Sequence, residues 1–297
     1  MEPEVATSRT AEVGRFSVRR ALPRRGRRTV GAWCFVDHMG PATVTPGSGL
    51  DVGPHPHCGL QTVTWLIEGE ALHHDSLGTE QLLAPGQLNL MTAGGGVAHS
   101  EEATGSYAGD LEGVQLWVAL PEATRHGAAR FEHVARCPRA DLRGGVATVL
   151  VGSMLGEVSP AAVDSALLGA DLEVSVPVEV PLDPAFEHVV VALRGTLRVA
   201  AAPVAPGQSA YLSPGAESVR LEPDGPARAL LLGGEPFTEP ILMWWNFVAR
   251  TRAEMEAARA DWAADSERFG TVASSLARID APDLFWRPGA LVGADPS

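Results

Sequence analysis

One pattern occurs twice in this chain of 297 residues and narrows the folds open to it. Ala84-Pro85-Gly86-Gln87 leads into Leu88-Asn89-Leu90, and Ala205-Pro206-Gly207-Gln208 leads into Ser209-Ala210-Tyr211-Leu212. Upstream of each lies a short apolar run closed by a glycine, Trp65-Leu66-Ile67-Glu68-Gly69 in one case and Val191-Ala192-Leu193-Arg194-Gly195 in the other. Pro presets φ at a turn, and Gly accepts the positive φ that reverses the chain. Strand, Gly turn, strand, Pro-Gly turn, strand, used twice in the same order, describes two related antiparallel barrels. The expected fold class is therefore all-β, with two tandem barrels of the jelly-roll kind over residues 1–133 and 134–297. Length is a prior for about two domains as well, and frequent Gly and Pro suit turn-rich β-structure. Near the end, the Ala-, Arg- and Glu-rich stretch Thr251 to Phe269 has apolar residues near helical spacing and predicts an amphipathic helix docked on a barrel. Met243 to Phe247 before it reads as a buried strand with Trp244 and Trp245 on opposite faces.

The two copies differ in chemistry. Pro54-His55-Pro56-His57-Cys58-Gly59 and, roughly forty residues on, Gly96-Val97-Ala98-His99-Ser100-Glu101 each hold a pair of metal-type donors spaced i, i+2. On a strand such pairs share a face, so His55, His57, His99 and Glu101 converge as three imidazoles and one carboxylate. That set suits a first-row transition metal and leaves about two positions of a six-coordinate ion open. Continuing the two-residue period from His57 puts Gln61, Val63 and Trp65 on the histidine face as candidate pocket residues. His73-His74-Asp75 follows in the next turn, and His74 is taken as a further pocket candidate. The second copy has His188 but no His-x-His and no His-x-Glu, so no metal is expected there and its interior should be filled by side chains. His38 reads as a structural hydrogen-bonding residue. His133 and Cys137 are discounted as ligands because Pro138 opposes the helix that would bring them together.

Phe35-Val36-Asp37-His38-Met39-Gly40-Pro41, Pro54 to Gly59, Met91 to Glu101 and Gln115-Leu116-Trp117-Val118 together resemble the pirin family, a branch of the bicupins. The likeness covers nearly all of the N-terminal half and continues more weakly through Gly234-Glu235-Pro236, Glu239-Pro240, Asn246-Phe247-Val248 and Thr251 to Glu254. It implies two cupin barrels, metal ligands at His55, His57, His99 and Glu101, and iron as the usual metal, with Mn, Ni, Cu and Zn open to the same donors. Bacterial proteins of this kind often open quercetin between its 2 and 3 positions. The implied activity is thus a dioxygenase acting on a flavonol or other enol or phenol with O2, with Glu101 as ligand and base. Pirins of animal nuclei are associated with transcription factors and iron redox state, so a non-enzymatic, protein-binding redox sensor is the alternative. Two positions depart from the family: Cys58 stands where Arg is frequent, and Gln61 where many cupins carry Glu.

Charge and composition exclude several other classes. The net charge is −13, yet residues 1–28 hold eight arginines against three acidic residues, near +5, which leaves about −18 for the rest. The arginine cluster reads as a solvated loop, and the acidic body opposes direct nucleic-acid binding. Every basic side chain is Arg, so Schiff-base chemistry and a P-loop lysine are excluded. Gly94-Gly95-Gly96 leads into ligands and not into a helix that could hold a pyrophosphate, and neither Gly-x-Ser-x-Gly nor His-Glu-x-x-His occurs. Cys34, Cys58 and Cys137 lack framework spacing, and no run of some twenty apolar residues predicts a membrane span. No signal peptide is read at the N-terminus, and the expected location is cytoplasmic.

Overall fold

The computed structural model describes residues 2–286. Each half of the chain builds a large sheet closed against a four-stranded one, and both large sheets have seven strands, the seventh of the second being the N-terminal Glu4–Thr7. In the first barrel the large sheet runs Arg130–Val134, Leu88–Thr92, Leu60–Glu68, Gly109–Ala119, Trp33–Val44, Phe16–Leu22 and Arg9–Val13. The small sheet runs Val52–His57, Val97–Glu102, Ala71–Asp75 and Glu80–Leu83. The second barrel repeats this with Gln208–Leu212, Glu187–Arg194, Ala227–Gly234, Leu167–Val174, Gly145–Val151 and Arg139–Asp141 facing Val178–Pro181, Ser218–Pro223, Leu197–Val199 and Ala202–Val204. The twice-used turn pattern thus corresponds to two barrels of the same strand order, as two cupin domains.

The two large sheets pack back to back. Val63, Trp65 and Leu116 from one meet Leu150, Val189 and Leu232 from the other in a single apolar layer. Trp33, fully buried there, donates its indole N–H to the carbonyls of Leu168 and Gly233 in the second barrel, at 3.2 and 3.1 Å. Trp65 Nε1 donates to Asp171 Oδ2 at 2.9 Å, and Arg228 Nε donates to the same carboxylate at 2.9 Å, so this buried charge is paired.

Two segments cross the expected 133/134 division. Glu4–Thr7 adds antiparallel to Gln208–Leu212 at the edge of the second barrel's large sheet, whereas Arg9–Val13 pairs with Phe16–Leu22 in the first barrel. At the other end, the chain after the second barrel returns to the first: Trp244, Phe247, Met255, Trp262 and Phe269 bury Cys58 and Ala98. The helix is Arg252–Ala263, shorter than the sequence pattern suggests, and Thr251 caps its N-terminus by accepting from Glu254 N. The expected single strand at Met243 to Phe247 is instead a hairpin, Leu242–Trp244 with Phe247–Ala249, because Trp245 takes φ +52° and turns the chain. The arginine loop is less free than a solvated loop. Arg24 and Arg27 both pair with Glu4, and the Arg27 guanidinium lies 3.2 Å above the Tyr211 ring, which ties the loop to the second barrel.

The two interiors differ as their sequences do. Val149, Leu172, Val190, Val199 and Leu221 fill the second barrel, and the inward positions of its small-sheet strands are Val178, Val180, Val219 and Leu221. His188 is the exception. It is fully buried beside Gly233, neither ring nitrogen has a hydrogen-bond partner, and burial holds its pKa down to about 4. Its folded pKa thus lies below its ordinary value of 6.5, so the contribution to stability is whole above pH 6.5 and is lost as the pH falls towards 4. His188→Leu is expected to raise stability near neutral pH by about 1 kcal/mol, since an unsatisfied buried polar group is removed. It should also flatten the pH dependence between 6.5 and 4. Urea unfolding at a series of pH values measures both, and parallel curves for the two proteins would rule the account out.

Candidate metal centre

Val52–His57 pairs antiparallel with Val97–Glu102 in the small sheet of the first barrel, placing His55 opposite His99 and His57 opposite Val97. The two-residue alternation turns all three imidazoles inward, and one ring nitrogen from each lies within 4.8 Å of the others. His57 Nε2 and His99 Nε2 are 3.1 Å apart. The other nitrogens are committed. His55 Nδ1–H donates to the Gly53 carbonyl at 2.9 Å, and His57 Nδ1–H to the Asn246 carbonyl at 3.0 Å. A carbonyl only accepts, so Nδ1 carries the proton in both rings and Nε2 presents a lone pair. His57 Nε2 thus turns a lone pair towards His99 Nε2 at 3.1 Å, a contact that either a proton on His99 Nε2 or a cation shared by the rings can bridge. Burial holds His55 down to about 4 and pushes His57 and His99 well below their ordinary range, so all three are neutral donors at pH 7. The donor chemistry therefore fits a transition-metal ion.

Glu101 lines the same cavity, but a register shift between His99 and Glu101 re-aims the strand, and its oxygens do not join the three-nitrogen cluster. It is buried, and its Oε1 lies 3.3 Å from the Thr64 hydroxyl, which is also 2.9 Å from Gln115 Oε1. Burial raises its pKa, opposed by His73 and by the Thr64 hydrogen bond. The cavity is about 490 Å³, and its wall includes Phe35, Met39, Leu50, Gln115, Trp117 and Trp244. Phe35 stacks on Trp117 at 4.0 Å, and the edge of His57 meets Trp117 at 5.2 Å.

The expected pocket residues Gln61, Val63 and Trp65 lie elsewhere. Between His57 and Leu60 the chain passes from the small sheet to the large one, at a corner where Gly59 has φ +72° and an added Cβ would come 2.0 Å from the Val248 carbonyl. This corner resets the alternation, so the face of His57 continues at Thr62 and Thr64 while Val63 and Trp65 enter the layer between the barrels. Gln61 points the same way, donating to Thr92 Oγ1 at 2.8 Å and to the Ala162 carbonyl at 3.1 Å. His74 is also misplaced: it faces Glu80 and Glu102, at 3.5 and 3.3 Å, away from the three-histidine group. Its neighbour His73 turns inward and reaches His99. His38 pairs with Glu112 at 2.8 Å, and Cys58 is a buried free thiol, its pKa pushed up to about 12 by burial. Sequence reasoning missed Thr64, Gln115, Trp117 and Asn246, and of the His73-His74-Asp75 run it carried forward His74 and not His73. Thr64 and His73 carry a period-two signal, whereas nothing near Asn246 in sequence points to His57.

Known proteins give the same picture. The family model described as Pirin matches residues 15–118, and the one described as Pirin C-terminal cupin domain matches residues 167–270. A crystal structure of quercetin 2,3-dioxygenase from Acinetobacter baumannii superposes with a TM-score of 0.93 and 43% identity, covering 98% of this chain and 97% of that one. A Pseudomonas aeruginosa protein carrying the name "Putative quercetin 2,3-dioxygenase" is 46% identical over 95% of this chain and 90% of its own length. A pirin-like protein of Caulobacter vibrioides is 37% identical over 88% of this chain and 92% of its own. Both halves of the chain and its two-cupin fold are thus accounted for together: the chain belongs to the pirin family.

Proposed function

We propose that the protein is an iron(II)-dependent dioxygenase of the quercetin 2,3-dioxygenase type, acting on a flavonol or a related enol or phenol. The observation that carries this reading is the convergence of three neutral Nε2 donors in a cavity with aromatic walls. The names of the similar proteins from Acinetobacter and Pseudomonas support the substrate class. His55, His57 and His99 would hold the metal, with Glu101 beside them as a fourth donor or as the base. A divalent ion held there supplies Lewis acidity and a site for O2 beside the substrate oxygen.

The chain's own residues contribute the rest. Burial makes the Glu101 carboxylate a stronger base than an exposed one, the direction that favours taking a proton from an enol or phenol hydroxyl. The Thr64 hydroxyl steadies that carboxylate. Phe35, Trp117 and Trp244 offer flat apolar contact to a planar substrate and keep bulk water from the reacting atoms. Three buried, unpaired thiols fit a reducing, cytoplasmic setting, and no helix among the described residues is long and apolar enough to cross a membrane.

The test is oxygen uptake by the Fe(II)-reconstituted protein with quercetin, beside the metal-free form. Uptake that requires the metal and matches flavonol loss mole for mole supports the oxygenase. A protein that binds iron tightly, consumes no oxygen with any phenol tried, and changes its affinity for a partner protein between ferrous and ferric states would instead be a redox-dependent regulator.

A further inference from the structure

The three histidines are not backed alike. His55 and His57 each donate Nδ1–H to a backbone carbonyl, but His99 Nδ1 faces the Nδ1 of another buried histidine, His73, at 3.4 Å. His73 Nε2 in turn lies 3.1 Å from Asp75 Oδ2. Asp75 and His73 are two apart on Ala71–Asp75 and sit in register opposite His99 and Glu101, so all four face into the barrel. The other Asp75 oxygen accepts from the backbone N–H groups of Leu77 and Thr79, at 2.9 and 3.0 Å, and His73 is stacked on Phe131 at 4.5 Å.

We infer that Asp75 and His73 form a positioning relay that fixes the tautomer of His99. The inference rests on the metal-centre reading only for its consequence, because the proton order is set from the Asp75 end; the competing order would put the His99 proton on Nε2, towards His57 Nε2 at 3.1 Å. The Asp75 carboxylate accepts from His73 Nε2–H, which leaves His73 Nδ1 a lone pair. That lone pair accepts from His99 Nδ1–H, and His99 Nε2 is left free to bind a metal. One carboxylate, two residues removed, decides which nitrogen of a ligand carries the proton.

Asp75→Asn separates this role from a merely structural one. The amide oxygen of Asn can keep both turn hydrogen bonds, and its NH2 then faces His73 Nε2. A donor there forces His73 to accept at Nε2 and to donate from Nδ1. His99 must then accept at Nδ1 and carry its proton on Nε2, the wrong tautomer for a ligand. Asp75→Ala removes the turn bonds but imposes no such inversion. The relay therefore predicts that Asn is the more harmful for metal binding and Ala for thermal stability, whereas a structural role makes Ala worse on both counts.

The direct readout is the 15N spectrum of the His99 imidazole in metal-free protein. The expected result is Nδ1–H in the wild type and Nε2–H in Asp75→Asn. In parallel, Zn(II) or Fe(II) affinity by competition with a chromophoric chelator should fall about 10- to 100-fold in Asp75→Asn, and less in Asp75→Ala. An unchanged His99 tautomer in Asp75→Asn overturns the relay. A tautomer that inverts in a chain whose wild type binds no metal keeps the relay and overturns the metal-centre reading instead.

Discussion

His57→Ala is expected to remove metal binding and, with it, metal-dependent oxygen uptake. Disturbing a residue that only backs a ligand costs about 10- to 100-fold in metal affinity, and losing one of three imidazole donors should exceed that range. The substitution also strands the Asn246 carbonyl, which now accepts from His57 Nδ1–H. Folding of the metal-free chain should nevertheless survive, because His57 is a neutral ring outside the apolar layer that holds the barrels together. Metal content per chain and oxygen-electrode rates check the first claim, and the unfolding midpoint of the metal-free form checks the second. A His57→Ala protein that holds metal and turns over flavonol at the wild-type rate would sink the assignment of this centre.

Trp33→Ala should produce the largest loss of stability. Trp33 fills the layer between the barrels, and its indole N–H is shared by two carbonyls of the second barrel. Truncating a buried Trp or Phe typically destabilises by about 3–5 kcal/mol through lost burial and the cavity left behind. The carbonyls of Leu168 and Gly233 also lose a donor. Chemical denaturation should show a midpoint displaced by this amount, whereas a displacement worth less than about 1 kcal/mol would mean that the barrels hold together without the shared layer. Because the metal ligands sit on the small sheet, away from that layer, residual folded protein should still bind metal.

The sequence by itself determined that the chain is all-β and duplicated, that only its first half carries a ligand set, and that His55, His57 and His99 share a face. These features are local. A two-residue period, a Pro-Gly turn and a His-x-His pair are written in neighbouring residues, and strand geometry converts them directly into a shared face. Only the tertiary structure decided where that face ends. The corner at Cys58-Gly59 sends Gln61, Val63 and Trp65 to the other barrel and Thr64 to Glu101, and the placement of Ala71–Asp75 beside Val97–Glu102 selects His73 over His74. Asn246 reaches His57 across 189 residues of chain. Likewise, the strand Glu4–Thr7 joins a sheet built from residues some two hundred positions away. Such contacts are set by how apolar layers and sheet edges meet, which depends on every element at once and leaves no periodic trace in the segments that take part.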